Sequence, residues 1–167
     1  MIEVDYLIAN WSKDKRDEVA TVKRFLDNSQ RIFAFTPSNI ECYAAEPIDI
    51  WVKDIDKKFQ IVVSDFEHYE LLGKAKADSQ GIKVIEMSRS RDDVWRESVV
   101  RPILKKGTFG RSANGITLLL NPPFDPPFWV EEDARLYRAS GRNKELKQTG
   151  WDEIYLVCKN KNIYIYP

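Results

Sequence analysis

Two short β-prone runs separated by a polar turn constrain this chain most. Residues 46–52 read Glu-Pro-Ile-Asp-Ile-Trp-Val, and residues 59–63 read Phe-Gln-Ile-Val-Val. β-Branched and aromatic residues fit a pleated, half-buried surface, and the gap between the runs suits a hairpin. A two-residue loop at Asp54 and Ile55 pairs Lys53 with Asp56, Trp51 with Lys58 and Asp49 with Gln60. The strand period of two then predicts Asp49, Trp51, Gln60 and Val62 on one face. Ile48, Ile50, Phe59, Ile61 and Val63 take the other. An acid facing an amide across a hairpin calls for a reason, and a metal ion supplies one. Both side chains offer oxygen to a hard cation such as Mg²⁺, and the backbone carbonyl of Ile61 adds a third oxygen.

The rest of the chain alternates helical and extended patterns, which predicts an α/β or α+β domain. Its 167 residues suit a single domain, 1–167, with one sizeable core. An extended arm is expected at 2–9 and a helix at 12–28, capped by Ser12. Val19, Val22, Phe25 and Leu26 form one face of that helix, and Glu18 points to the same side. Residues 31–36 and 39–45 read as extended. Ser64 opens a helix to about Ser79, 82–87 reads as a strand, and Ser90 starts a further helix through Val94, Trp95, Val99 and Ile103. Pro102 is expected to kink or break it. Residues 116–120 form a continuous apolar run, as in a central strand covered on both faces. A helix over 130–139 and a terminal hairpin, 152–158 with 163–166, complete the pattern.

Charge adds a second signal. Lys and Arg number 26, equal to Asp and Glu, which argues against a protein that coats nucleic acid by net charge alone. Yet 89–111 and 135–147 are each locally basic, which predicts a polarised surface. Arg101 and Arg111 are the expected phosphate contacts, and Trp51 offers a ring for a base to stack on. No apolar run reaches membrane-spanning length, and the start of the chain lacks the basic residues of a signal peptide. Cys42 and Cys158 lie in strand-like runs and read as buried thiols of a cytoplasmic protein. His68 is the single histidine and reads as an ordinary surface or boundary residue.

Each candidate residue also has a structural reading. Asp49 suits a strand-end acid that accepts backbone hydrogen bonds. Gln60 suits an amide on a solvated sheet face. Glu18 suits an ion pair with Lys15 or Arg16. Lys105 and Lys106 suit the end of a helix, where cations complement its dipole.

The order helix, three-stranded meander, helix, strand, with Asp49 after Pro47 and Ile48, resembles the PD-(D/E)XK phosphodiesterases. The resemblance covers about 12–158 and implies a restriction-endonuclease-like fold, a mixed central sheet flanked by helices. It implies that Asp49 binds Mg²⁺ or Mn²⁺ and that Glu18 is the acid found on the first helix. Gln60-Ile61-Val62 falls where the family has (Asp/Glu)-x-Lys, so Gln60 and Ile61 join the metal set. Val62 stands in the lysine position. The resemblance allows that lysine to come from a neighbouring element, and Lys105 and Lys106 are the expected substitutes.

The implied activity is metal-dependent hydrolysis of DNA or RNA, by a monomer, a homodimer or a complex with a protein partner. Two other readings stand beside it. One is the same fold with an inactive site that binds nucleic acid or protein. The other is an unrelated α+β interaction or immunity protein.

Overall fold

The computed structural model describes residues 13–29, 40–43, 48–64, 90–107, 115–123 and 125–167. Among these, six strands form one mixed sheet in sequential order: β1 Ile40–Cys42, β2 Ile50–Val52, β3 Lys57–Val63, β4 Ile116–Asn121, β5 Glu153–Val157 and β6 Asn162–Tyr166. β1, β2 and β3 make an antiparallel meander. β4 lies parallel to β3 and β5 parallel to β4, and β6 closes the sheet antiparallel. The expected α/β class is therefore observed, as a mixed sheet with helices on both faces.

The parallel strands explain that cover. Crossovers between parallel neighbours lay helices on the sheet, so such strands are buried on both sides. β4 shows it: Ile116 to Leu120 are all buried. Ile116, Leu118 and Leu120 belong to one core cluster, and Leu119 belongs to the other.

Helix α1, Lys13–Asn28, covers the face of Leu119. Val19, Val22, Phe25 and Leu26 bury against Ile50, Val52, Phe59 and Ile61. The Phe25 ring meets Phe59 edge-on at 5.7 Å and Tyr155 at 4.9 Å. Asn28 donates to the carbonyl of Cys158 at 3.0 Å, which ties the end of α1 to the β5–β6 hairpin.

The opposite face carries three helical pieces. The first runs as α2 Arg91–Trp95, a π-helical segment Arg96–Val100 and α3 Arg101–Lys105. Ser90 caps it with a capping box: its hydroxyl accepts from the Asp93 amide, and the Asp93 carboxylate accepts from the Ser90 amide. Pro102 does not break this rod, because the backbone stays right-handed at Arg96, Val100 and Arg101. Proline has no N–H, and its ring would strike the carbonyl four residues earlier. The wider π turn just upstream accommodates the ring and keeps the helix going. Helix α4, Trp129–Ala139, and a 3₁₀ helix, Arg142–Thr149, complete the layer. The 3₁₀ helix was not expected. Gly141 and Gly150, both left-handed with φ of 73° and 81°, bracket it.

The hairpin register is as expected, with Trp51 opposite Lys58. Its loop is longer than two residues: the ladder ends at Val52 and Lys57, and Lys53–Ile55 form a 3₁₀ turn. Asp56 follows at φ 48°, and its carboxylate accepts from the Trp51 indole at 3.0 Å. The expected arm at 2–9, Ser12, the run 31–36, the helix from Ser64, the strand 82–87, His68 and Arg111 fall on residues outside the described ones. Among the described residues, no helix is long and apolar enough to cross a membrane.

Two measurements check this packing. Phe59 is fully buried, so Phe59→Ala is expected to lose about 3–5 kcal/mol in urea unfolding. Cys158 is a free, buried thiol, pushed up to about 12 by burial and then by the charge of Asp125. Its contribution to stability is complete below the ordinary thiol value of 9.0 and is lost as pH rises toward 12. A thiol reagent at pH 8 is expected to modify Cys158 only when the protein unfolds.

Candidate functional site

Asp49 occupies a bend immediately before β2. Its amide donates to Phe59 O at 2.9 Å, and its carbonyl accepts from the Tyr43 amide at 2.8 Å. Its Oδ2 accepts from the Ile61 amide at 2.9 Å. A carboxylate thus meets a β3 amide that a regular ladder would give to a main-chain carbonyl. This is the strand-end role expected of an acid here, and it fixes the carboxylate beside β3. The carbonyl of Ile61 points to the same side of β3 as its amide.

Helix α1 brings two more charges to that point. Lys15 Nζ lies 2.6 Å from Glu18 Oε2 and 3.8 Å from Asp49 Oδ1. Lys15 and Glu18 sit one turn apart, above the buried Val19 and Val22 that seat the helix. All three side chains are largely shielded, Asp49 most, at 13 % exposed. Cys42 stands opposite Ile50 in the ladder and packs with the α1-side core. Its thiol is raised, first by burial; Lys15 opposes this, and Glu18 and Asp49 add to it. The corner therefore holds one cation between two carboxylates, with a half-buried thiol in their field.

Gln60 does not join them by strand alternation. It pairs with Leu118, whose side chain belongs to the core on the far face, and it is 1 % exposed. Its Oε1 has no hydrogen-bond partner among the described residues. The solvated sheet face offered as one reading of Gln60 is therefore corrected: the far-face helical layer covers β3 at that point. Val62 pairs with Leu120 and packs on the same far core. Trp51 lies across from Lys58, with the Lys53 and Lys58 ammonium groups 5.8 and 5.6 Å from its ring. Trp51, Gln60 and Val62 share one face as expected, but Asp49 leaves it, and Ile48, expected on the other face, packs on the far core. The bend ahead of β2 breaks the period of two and gives the carboxylate to the α1 side.

Lys105 and Lys106 close α3, in the helical layer over the far core, whereas Lys15 and Glu18 lie on α1. Arg101 pairs with Glu97 at 2.7 Å. Four more arginines of these segments are paired in the same way: Arg91 with Asp133 at 2.6 Å, Arg96 with Glu145 at 3.0 Å, Arg135 with Glu132 and Arg142 with Asp92, both at 2.5 Å. Burial alone would raise Glu145, but hydrogen bonds from Tyr137 and Arg96 hold it below its ordinary value. Carboxylates from the same helix or from neighbouring elements thus meet these five arginines, while Lys105, Lys144 and Lys147 of the same segments are exposed.

Lys15 is the residue the sequence analysis did not assign to the site. The signal for it was its three-residue spacing from Glu18 on a helix. Among the described residues, no group of three His, Cys, Asp or Glu side chains gathers to hold a metal. Glu18 and Asp49 still form a pair that converges on a positive charge, with the Lys15 ammonium standing where a cation suits both. Mg²⁺ commonly binds through one or two carboxylates plus substrate phosphates, and the pair fits that class of site.

Asp49→Ala leaves the Ile61 amide without its acceptor, so a loss of about 1–3 kcal/mol is expected. Asp49→Asn keeps an oxygen there and is expected to lose much less; urea unfolding of the two variants separates them. No family model, curated protein or solved structure matches this chain.

Proposed function

We propose that the protein is a divalent-metal-dependent phosphodiesterase of the PD-(D/E)XK type that hydrolyses DNA or RNA. The observation that carries this reading is the Lys15, Glu18 and Asp49 cluster at the Ile61 amide. The order of elements supports it: α1, the antiparallel meander β1–β3, then a helical crossover to β4 parallel to β3. That order underlies the resemblance to the family and its restriction-endonuclease-like fold.

In this reading Glu18 and Asp49 hold Mg²⁺ or Mn²⁺, with the Ile61 carbonyl as a further oxygen. When bound there, such an ion would supply Lewis-acid chemistry, polarising a phosphate and acidifying a water. Lys15 takes the part that Val62 cannot. Its ammonium neutralises charge that builds on the phosphoryl oxygens as the bond to phosphorus forms. Hydrolysis makes a bond from water oxygen to phosphorus and breaks one phosphorus–ester bond, and the departing oxygen takes up a proton. The carboxylates hold the Lys15 side chain in place before the ion and substrate arrive. Gln60 acts from behind the sheet as a buried polar group rather than as a ligand.

A second reading is the same fold with an inactive site that binds nucleic acid or protein. Val62 and Gln60 favour it, because both are packed on the far core.

Cleavage of labelled DNA and RNA in Mn²⁺ tests the two. The enzyme reading expects cleavage that EDTA stops, lost in Glu18→Gln and Asp49→Asn. Lys15→Met is expected to be slower by roughly 10²–10³-fold, the cost of one transition-state charge contact. Undiminished cleavage by Asp49→Asn would overturn the assignment. Metal-insensitive binding without cleavage would establish the second reading.

A further inference from the structure

A second cleft opens on the α1 side of the sheet, outside the carboxyl ends of β4 and β5. It encloses about 530 Å³ and is lined by Asp17 and Arg24 of α1, by Asn121, Pro122 and Pro123 after β4, and by Asp125 and Lys159. Open α/β sheets use the space beyond the carboxyl ends of their strands for ligands. The volume falls within the range of small-ligand sites.

Its charges differ from those of the far face. There, Arg91, Arg96, Arg101, Arg135 and Arg142 all meet carboxylates. Arg24 and Lys159 meet none among the described residues. Asp125 Oδ1 accepts from the Lys159 amide at 2.9 Å and so fixes the backbone that carries Lys159, although its charge stays in the cleft. Asp17 and Arg24 are seven residues apart, two helical turns, and share one stripe of α1. Glu18 follows Asp17 directly, so the cleft begins beside the Lys15, Glu18 and Asp49 corner and extends about 9 Å along the helix to Arg24.

We infer that Arg24 and Lys159 hold a backbone phosphate of a nucleic-acid strand whose neighbouring phosphodiester lies at the Glu18–Asp49 corner. This rests on the proposed phosphodiesterase reading and supplies its substrate path. The strand follows α1 across the ends of the parallel strands, away from Arg101 on the far face, where the sequence had suggested a contact. Contact is with phosphate, so it discriminates little between base sequences. An arginine offers a phosphate a two-pronged contact, and a lysine offers it a point charge.

The test is binding without cleavage. Fluorescence anisotropy is measured with labelled oligothymidylate and oligouridylate, in EDTA, over a range of salt. Wild type is compared with Arg24→Gln/Lys159→Gln and with Lys147→Gln, an exposed cation on the far-face 3₁₀ helix. The double variant is expected to bind roughly tenfold more weakly, with the slope of log K against log salt reduced by about 0.7 for each lost contact. Lys147→Gln is expected to keep the wild-type slope. An unchanged slope in the double variant, a loss matched by Lys147→Gln, or no binding by wild type overturns the inference. Cleavage is read separately in Mn²⁺. Cleavage with an unchanged slope sinks the path and spares the phosphodiesterase, and a reduced slope without cleavage does the reverse. Different losses on the two oligonucleotides would identify which backbone the cleft prefers.

Discussion

The need to cover three parallel strands on both faces governs this structure. β3, β4 and β5 bury side chains into two separate cores, so no face of the central sheet is available to water. Crossover helices fill one side by their connectivity. The other side is left to α1, which enters ahead of the sheet. Its apolar stripe must lie over Ile50, Phe59, Ile61 and Leu119. That seating fixes the polar residues flanking the stripe. Lys15 and Glu18 come to rest over the start of β2, and Asp17 and Arg24 over the ends of β4 and β5. The candidate chemistry is a consequence of hydrophobic cover.

Elements set by local pattern were legible in the sequence. The apolar spacing of α1, the Ser90 cap, the unbroken apolar run of β4 and the terminal hairpin all declare themselves within a few residues of chain. The hairpin register was legible too, although the loop differs, because the extra residues at each side of the turn leave the pairing unchanged. What was not legible depends on contacts between distant elements. At the bend that turns Asp49 off its expected face, the Ile61 amide donates to the Asp49 carboxylate instead of to a main-chain carbonyl. No period in the sequence encodes that choice. The π segment around Val99 answers a clash that needs the helix to continue past Pro102, which propensity argues against.

Charge shows the same limit. Counting Lys and Arg along 89–111 and 135–147 gives two basic segments, but the folded chain draws Asp133, Glu145 and Asp92 to them. The Glu145 carboxylate collects both Arg96 and the Tyr137 hydroxyl, whose own ionisation is pushed well above its ordinary value, by burial first and by Glu145 next. These pairs fix the helical layer of the far face and offset the charges of Arg91, Arg96 and Arg142. Lys15 is the reverse case. Within α1 it reads as a routine partner for Glu18, and only the approach of Asp49 from another element makes it the centre of a three-charge corner.

The central claim is that Glu18 and Asp49 act together on a divalent cation at a place now held by the Lys15 ammonium. Titration calorimetry with Mn²⁺ on wild type, Asp49→Asn and Lys15→Met tests it most directly, with circular dichroism to confirm that each variant is folded. The account expects wild type to bind one Mn²⁺, Asp49→Asn to lose binding, and Lys15→Met to bind more tightly because no ammonium competes. Wild type that binds no Mn²⁺, or Asp49→Asn that binds it as well as wild type, would contradict the claim.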